Sequence, residues 1–332
     1  MSKAETLLAV QDLKVYFRGA EGTAKAVDGV SYDIRKGECV CIVGESGCGK
    51  TVSALSILGL IPSPPGKIKG GRILFDGQNL LDLSQEELRR IRGRRIGMVF
   101  QEPLTSLNPV FTIGDQIAEV IETHESLGEE AIRARCIQLL KDVGIASAEE
   151  RLNDYPHQLS GGQRQRVMIA MALACSPDLI IADEPTTALD VTIQAQILNL
   201  LNTLKRTRGM SILYITHDLG VVAAIASRVF VMYAGTMVEQ GPTSWVFSHP
   251  RHPYTMGLMA SLPSRFKRGK RLHSIPGSVP NPAFKPRGCP FHPRCSFAET
   301  TCRQEFPEFC NYGNGHLSRC PVLYHKQGQK TQ

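Results

Sequence analysis

The residues with the clearest chemical meaning form a glycine-rich segment that follows the apolar run Glu38–Val43. Its eight residues fit the pattern G-x-x-x-x-G-K-[ST], and they are Gly44, Glu45, Ser46, Gly47, Cys48, Gly49, Lys50 and Thr51. In a strand–loop–helix setting, glycines let backbone N–H groups surround a β-phosphate, the lysine reaches the β- and γ-phosphates, and the hydroxyl ligates Mg²⁺. The segment therefore predicts a loop that binds the phosphates of a magnesium nucleotide.

Two adjacent carboxylates, Asp183 and Glu184, follow a second apolar run, Leu179–Ala182. A continuous apolar run is typical of a buried parallel strand, and open α/β sheets bind ligands at the carboxyl ends of their strands. We expect Asp183 to hold Mg²⁺ through water and Glu184 to act as the general base that polarises the attacking water. The alternative is a carboxylate pair that caps a helix.

A third segment places a serine and two glycines at the predicted start of an apolar helix. After Leu159 it contains Ser160, Gly161, Gly162 and Gln163. N–H groups and the positive end of the dipole at a helix start attract an anion. This pentapeptide resembles the signature of ATP-binding-cassette (ABC) ATPases, and several other segments match that family in the same order over about residues 5–260.

The resemblance implies further residues that contact ATP or magnesium. Phe17, with Tyr16 as the alternative, is placed like the aromatic residue that stacks on adenine. Gln101 resembles the Q-loop glutamine, a further Mg²⁺ ligand with a part in catalysis. Asp190, in the segment 188–190, resembles the D-loop aspartate, and His217 resembles the switch histidine that contacts the γ-phosphate.

The implied fold is α/β: a P-loop ABC ATPase with a RecA-like core, an antiparallel β subdomain, an inserted helical subdomain at about residues 102–160, and a small Cys-rich C-terminal extension. Composition places the boundary of the extension. From Gln240 to Ala298 there is no Asp or Glu, while the chain as a whole carries 31 acidic residues. We therefore predict an ATPase domain at 1–240 and an extension at 241–332, with a cysteine-rich, metal-binding segment at 288–321.

The extension carries a more specific resemblance. His249–Thr255, Ile275–Pro280 and Gly288–Cys295 are similar to segments of the D-type ATP-binding subunits of bacterial dipeptide and oligopeptide importers. This implies an enzyme that hydrolyses ATP to drive import of dipeptides or oligopeptides, with a nickel or other small-solute importer as the alternative. It implies a peripheral protein on the cytoplasmic side of the inner membrane.

The same resemblance implies partners. In the family, the signature of one subunit closes on the phosphate loop of another, and this chain has one of each. We expect a second ABC ATPase, related but different, two transmembrane permease subunits, and indirectly a periplasmic peptide-binding protein. We expect the permease to dock a short helix in a groove that contains Glu102, Leu104, Leu107 and Asn108, although both leucines could instead be core.

Composition weighs against the other function classes. The 332 residues carry a net charge of +7 and contain no apolar run of the length that a transmembrane helix needs. A soluble ABC ATPase that acts on nucleic acid is the competing hypothesis, with the basic stretch 240–298 as its binding patch. No aromatic residues other than Phe266 stand among the basic residues of Arg265–Arg271, and the chain has one cassette, so we expect no nucleic-acid partner.

Half of the ten cysteines fall within the last part of the chain. They are Cys289, Cys295, Cys302, Cys310 and Cys320. None forms a C-x-x-C pair, disulfides are not expected in a reducing cytosol, and four thiolates suit a [4Fe–4S] cluster. The importer subunits that the chain resembles carry such a cluster, which implies Cys289, Cys295, Cys302 and, in preference to Cys310, Cys320 as ligands. Zinc, with His292 or His316 as a substitute ligand, and no metal at all are the alternatives.

Overall fold

The computed structural model describes residues 5–20, 22–187, 190–262 and 274–328, except for the side chains of Leu104 and Gln327. The strands within these ranges are β1 (Thr6–Gly19), β2 (Gly22–Arg35), β3 (Cys39–Val43), β4 (Gly66–Phe75), β5 (Gln78–Asn79), β6 (Ile96–Val99), β7 (Leu179–Asp183), β8 (Ser211–Thr216), β9 (Arg228–Tyr233), β10 (Thr236–Pro242), β11 (Cys310–Asn311) and β12 (Leu317–Ser318). The helices are α1 (Lys50–Ile57), α2 (Gln85–Ile91), α3 (Pro103–Ser106), α4 (Ile113–His124), α5 (Glu129–Asp142), α6 (Ala148–Arg151), α7 (Gly161–Leu173), α8 (Val191–Arg208), α9 (Leu219–Ile225), α10 (Thr243–Ser248), α11 (Pro253–Ala260), α12 (Thr300–Gln304) and α13 (Pro321–Gly328).

Contacts divide the chain into two compact units. Unit 1 contains the chain up to Leu7, Ile34–Glu38 and Leu80–Ile215, and unit 2 contains Leu8–Asp33, Cys39–Asn79 and the chain from Thr216 onward. The glycine-rich loop and the described part of the C-terminal extension therefore belong to the same unit. The domain boundary near residue 240 stays a prediction from composition.

Unit 1 is built on three parallel strands. β6 pairs with β7 and β7 pairs with β8. Every residue of β7 and β8 is buried, which explains why their sequences are continuous apolar runs, since both faces of a parallel sheet are covered. The sequence-based expectation of a buried strand that ends at Asp183 is confirmed.

Helices fill the part of unit 1 between β6 and the signature segment. α4 begins with a capping box, in which the hydroxyl of Thr112 accepts from the Asp115 N–H at 3.1 Å and the Asp115 carboxylate accepts from the Thr112 N–H at 3.2 Å. α4 and α5 pack against α7, and both helices carry fully buried apolar residues, such as Ile117 on α4 and Leu140 on α5.

Of the residues predicted to line a permease groove, Leu107 is core, which was the alternative for this residue. Leu107 is 2% exposed and belongs to the core, so it does not line an open groove. Glu102 and Asn108 are exposed, and the side chain of Leu104 lies outside the described part of the structure. The apolar surface of this segment comes instead from Val110 and Phe111, which are 71% and 52% exposed.

Unit 2 contains two sheet regions. β1 and β4 pair antiparallel, with β2 beside β1 and β5 beside β4. In the second region, β3 pairs parallel with β9, β10 continues antiparallel from β9, and β12 and β11 of the extension add to β10. The extension is therefore joined to the ATPase part by backbone hydrogen bonds.

A buried carboxylate fixes this junction. Glu239 on β10 is 0% exposed, and its oxygens accept hydrogen bonds from the N–H groups of Arg251 and His252 at 2.7 and 2.9 Å. The Nε2 atom of His316, 1% exposed, lies 2.7 Å from the same carboxylate. One side chain thus links β10, the segment before α11 and the loop before β12.

The neighbouring His252 is an acceptor rather than a cation. Its Nδ1 atom accepts from the Tyr254 N–H at 3.1 Å, and burial lowers the pKa of His252 to about 3. His252 is therefore neutral at physiological pH, and it caps α11 in that form.

Among the described residues, no helix has the length and apolar character needed to cross a membrane.

The junction yields a test of stability. Replacing Glu239 by alanine leaves the N–H groups of Arg251 and His252 and the buried His316 without their acceptor, so we expect Glu239→Ala to lower the free energy of unfolding by about 3–5 kcal/mol. Urea unfolding measures this change. As a control, Glu299→Ala removes a half-exposed carboxylate that pairs with Lys326 at 3.1 Å, and it should change stability by less than about 0.5 kcal/mol. Equal midpoints for the two variants would contradict the account.

Candidate functional site

The glycine-rich loop lies between β3 and α1, as the pattern predicts. Gly49 has φ 100° and precedes the first helical residue, Lys50. The Lys50 ammonium group donates hydrogen bonds to the carbonyl oxygens of Gly44 and Glu45 at 2.9 and 3.1 Å. The loop therefore curls around its own lysine at the N-terminus of a helix, where backbone N–H groups and the helix dipole favour an anion.

Close packing explains why two positions in this loop must be glycine. A Cβ atom on Gly44 would lie 2.2 Å from the carbonyl oxygen of Met232, and one on Gly49 would lie 2.2 Å from the carbonyl oxygen of Ala26. Cys48 is fully buried beside them, and burial raises the pKa of its thiol to about 11. Cys48 is thus a packing residue of the loop.

In unit 1 the structure brings two of the predicted catalytic residues together. The Gln101 amide donates to the Glu184 carboxylate at 3.4 Å, and the Thr187 hydroxyl donates to the same oxygen at 3.0 Å. Glu184 has φ 45°, a left-handed conformation that costs about 1–3 kcal/mol outside glycine. Its N–H donates to the Ile215 carbonyl at 2.9 Å, so Glu184 is held in one orientation after β7.

The two predicted magnesium ligands other than Gln101 differ in exposure. Asp183 is the last residue of β7 and is 2% exposed. Thr51 is the second residue of α1 and is exposed. Both side chains carry oxygen atoms, the ligands that Mg²⁺ prefers.

The signature segment begins a helix as the sequence predicts. Ser160 is the N-cap of α7, and its hydroxyl accepts from the Gln163 N–H at 3.3 Å while the Gln163 side chain accepts from the Ser160 N–H at 2.9 Å. Gly161 and Gly162 form the first turn. Small residues there leave the N–H groups at the helix start open to an approaching anion.

The remaining predicted residues have these positions. Asp190 caps α8 by accepting from the Ile193 N–H at 2.9 Å. Ala188 and Leu189, the rest of the predicted D-loop, lie outside the described residues. His217 follows β8 and is exposed.

The two aromatic candidates for stacking on adenine have different surroundings. Phe17 on β1 pairs with Gly66 of β4. The hydroxyl of Tyr16 donates to the Asp28 carboxylate at 2.6 Å, and burial together with this bond raises the pKa of Tyr16 to about 12. The choice of Phe17 stays a prediction.

Sequence reasoning missed two residues that contact the loop. The guanidinium group of Arg294 forms a two-pronged ion pair with the Glu45 carboxylate, at 2.6 and 3.0 Å. The Glu45 N–H donates to the hydroxyl of Tyr254 at 2.8 Å. Arg294 and Tyr254 lie in the segments Gly288–Cys295 and His249–Thr255 that carry the resemblance, but nothing in those segments pointed to a contact with the loop.

Four of the five C-terminal cysteines line one cavity. A cavity of about 290 Å³ in unit 2 is lined by Cys289, Cys295, Cys302 and Cys320. Cys310 is on β11 and is not among the described residues that line the cavity. Burial raises the pKa of Cys289 to about 11 and that of Cys320 to about 12, so both are thiols at physiological pH.

The arrangement of these thiols differs from that of a formed metal site. In the described ranges, no three His, Cys, Asp or Glu side chains are placed to hold a metal ion. The two histidines weighed as zinc ligands also differ, because His292 lines the cavity while His316 is bonded to Glu239 outside its lining.

Comparison with family models gives two matches. Residues 27–187 match the model described as ABC transporter, and residues 238–302 match the model described as oligopeptide/dipeptide transporter, C-terminal region. The second match spans the junction at Glu239 and the first three cavity cysteines.

Curated relatives match almost the whole chain. A probable peptide ABC transporter ATP-binding protein of Sinorhizobium fredii, y4tR, is 52% identical and the alignment covers 96% of this chain and 95% of the relative. The dipeptide transport ATP-binding protein DppD of Bacillus subtilis is 49% identical, with 95% and 94% covered. Among solved structures, a dimeric bacterial ABC transporter cassette superposes with a TM-score of 0.64 at 31% identity, over 71% of this chain and 98% of that one.

Two glycine-to-alanine variants test how closely the loop packs against its surroundings. Gly47 has φ 77° and open space around its Cβ position, whereas Gly49 has φ 100° and a backbone oxygen in the way. We expect Gly47→Ala to cost about 1–2 kcal/mol, the penalty of a left-handed residue. Gly49→Ala should cost more than about 4 kcal/mol or prevent folding. Thermal denaturation distinguishes the two, and equal losses would contradict the packing argument.

Proposed function

This chain belongs to the family of ABC transporter ATPases that carry an oligopeptide/dipeptide transporter C-terminal region, and we propose that it hydrolyses ATP to drive the import of dipeptides or oligopeptides. The observation that carries this proposal is the phosphate loop, whose backbone curls around Lys50 at the start of α1. The peptide substrate is inferred from relatives described as peptide and dipeptide transport ATP-binding proteins, which align with almost the whole chain.

The loop residues bind the triphosphate. N–H groups of Gly47, Cys48 and Gly49 are proposed to donate to the β-phosphate, with Ser46 completing the turn. Lys50, released from the carbonyl oxygens that it now contacts, donates to the β- and γ-phosphates. Thr51 and Asp183 are the proposed Mg²⁺ ligands, with Gln101 as a third, and the ion when bound supplies positive charge to the phosphate oxygens.

Glu184 is the proposed general base. Its carboxylate is oriented by Gln101 and Thr187, both of which donate to the same oxygen, and a carboxylate is a group that can take a proton from water. Gln101 donates a hydrogen bond to this carboxylate, which supports the predicted part of Gln101 in catalysis. His217 is proposed to contact the γ-phosphate from the end of β8.

A second ATPase subunit completes the site in this proposal. Ser160, Gly161, Gly162 and Gln163 are proposed to bind the γ-phosphate held by the phosphate loop of a related, different chain, and Asp190 is proposed to lie at the same junction. The dimeric form of the solved cassette supports a paired arrangement.

The further partners are two permease subunits in the membrane and a periplasmic peptide-binding protein. Val110 and Phe111 replace Leu107 as the proposed apolar contacts for a permease helix, because both are exposed and follow α3 closely. We propose that the chain works as a peripheral protein on the cytoplasmic side of the inner membrane, without a nucleic-acid partner.

We also propose that the cysteine-lined cavity takes a [4Fe–4S] cluster. Four thiols of the predicted set line one cavity and Cys310 does not, which fits the donor chemistry of such clusters. Burial raises the pKa of Cys289, Cys295 and Cys320, so these thiols must deprotonate when the cluster binds, and all four ligands must converge on it. The role is structural, because the extension has few apolar residues to form a core of its own.

Catalysis is tested with Glu184→Gln and Lys50→Ala. The glutamine keeps the shape but cannot accept a proton, so we expect ATP binding to persist and hydrolysis to fall by about 10²- to 10⁴-fold. Lys50→Ala should instead weaken ATP binding by about 10- to 100-fold. Phosphate release and nucleotide binding are measured in the reconstituted transport complex, with the same change in the partner ATPase so that an intact second site does not mask the loss.

Glu150→Gln, which changes an exposed glutamate of α6, is the matched control and should behave as the wild type. Hydrolysis at the wild-type rate by Glu184→Gln would contradict its role as the base. Wild-type ATP affinity in Lys50→Ala would contradict the assignment of the phosphate loop.

The cluster is tested by analysis of anaerobically purified protein. It should be brown and contain about four iron and four sulfide ions per chain. Cys320→Ser should lose the iron, whereas Cys310→Ser, the matched control outside the cavity lining, should keep it. Colourless anaerobic protein with stoichiometric zinc would contradict the proposal, and iron lost only from Cys310→Ser would reverse the assignment of the fourth ligand.

A further inference from the structure

The C-terminal extension reaches the phosphate loop at Glu45. Two independent contacts hold this one residue, because Tyr254 accepts from its N–H at 2.8 Å and Arg294 binds its carboxylate at 2.6 and 3.0 Å. The two partners lie 40 residues apart in sequence, one on α11 and one in the turn before Cys295. The backbone and the side chain of Glu45 are therefore both fixed from outside the loop.

Arg294 is itself rigidly held. Its side chain is 6% exposed, and the guanidinium group donates to the carbonyl oxygens of Pro276 and Ile275 at 2.8 and 3.4 Å. Its guanidinium carbon lies 5.8 Å from the ring centre of Tyr233 and 5.9 Å from that of Phe291. Because Arg294 is buried and immobilised, forming the ion pair with the partly exposed Glu45 costs little side-chain entropy.

The negative charge of Glu45 lies in the loop that is proposed to bind the phosphates of ATP. An unpaired carboxylate in a loop that surrounds phosphates would repel them. Arg294 neutralises this charge and holds it in a fixed place. A lysine could supply the charge but not the planar two-pronged geometry.

We infer that Arg294 is a positioning residue of the phosphate loop, through which the C-terminal extension sets the affinity of the chain for ATP. Arg294 acts through Glu45 and touches no phosphate itself. This inference rests on the proposed binding of ATP by the loop. It makes the cysteine-lined region and the nucleotide site two coupled parts of unit 2, since Cys295 follows Arg294 directly and Phe291 both lines the cavity and packs against Tyr254.

A double-mutant cycle tests the inference. We expect Arg294→Ala to weaken ATP binding by about tenfold, within the range of typical coupling between sites, and Arg294→Lys to have a smaller effect. Removing Glu45 as well should rescue the loss, so that Arg294→Ala/Glu45→Ala binds ATP more tightly than Arg294→Ala alone. Titration calorimetry with Mg-ATP on the full chain gives the affinities, and thermal denaturation of each variant shows whether it is folded.

Arg287→Ala is the matched control, because it removes an exposed arginine of the same extension and the same unit of charge. Its ATP affinity should equal that of the wild type. A purely structural arginine would give no rescue by the second change, and equal affinities in Arg294→Ala and the double variant would overturn the inference.

The result can be separated from failure of the proposed function. If Lys50→Ala loses ATP binding while folded Arg294→Ala keeps it, the inference is wrong and the function stands. If Lys50→Ala binds ATP as the wild type does, the function itself is wrong. Should Arg294→Ala fail to fold, Arg294→Lys provides the comparison: it must weaken ATP binding, and Arg294→Lys/Glu45→Gln must bind ATP more tightly than Arg294→Lys for the inference to hold.

Discussion

The structure depends on how closely the phosphate loop packs against the backbone around it. At Gly44 and Gly49 a neighbouring carbonyl oxygen occupies the place of a side chain, 2.2 Å from the Cβ position. This approach turns the loop inward and leaves its N–H groups at the start of α1, next to Lys50. A cradle made of backbone can recognise phosphate without depending on side-chain rotamers, and the other elements of unit 2 hold that backbone in place.

The C-terminal extension is attached by buried polar groups as well as by aromatic packing of Tyr254 and Phe291 on Tyr233. The buried Glu239 carboxylate accepts from three donors, and Arg294 binds Glu45 in the same unit. A buried carboxylate is costly without its hydrogen-bond donors. The donors on the extension must therefore keep their positions relative to Glu239 and Glu45. The extension therefore has a defined position on the ATPase part despite its many prolines and basic residues.

Sequence alone predicted the elements whose signals are local. The strands before Gly44 and Asp183 are continuous apolar runs, and the start of α7 at Ser160 follows from capping chemistry, so their neighbours in sequence suffice to place them. Arg294 and Glu45 are separated by 249 residues, and no local pattern links them. Leu107 could be read from the sequence either as a groove residue or as core, and its 2% exposure in the structure depends on tertiary packing that no local pattern reveals.

The central claim is that the backbone N–H groups of the phosphate loop bind the β-phosphate of the nucleotide. It is tested by measuring the binding of a series of nucleotides to the full chain. Titration calorimetry with ATP, ADP, AMP and adenosine, each with Mg²⁺, isolates the contribution of each phosphate. The account predicts similar tight binding of ATP and ADP and a loss of about 100-fold or more from ADP to AMP, because the β-phosphate and its charge-assisted hydrogen bonds are removed. Equal affinities for ADP and AMP would contradict it.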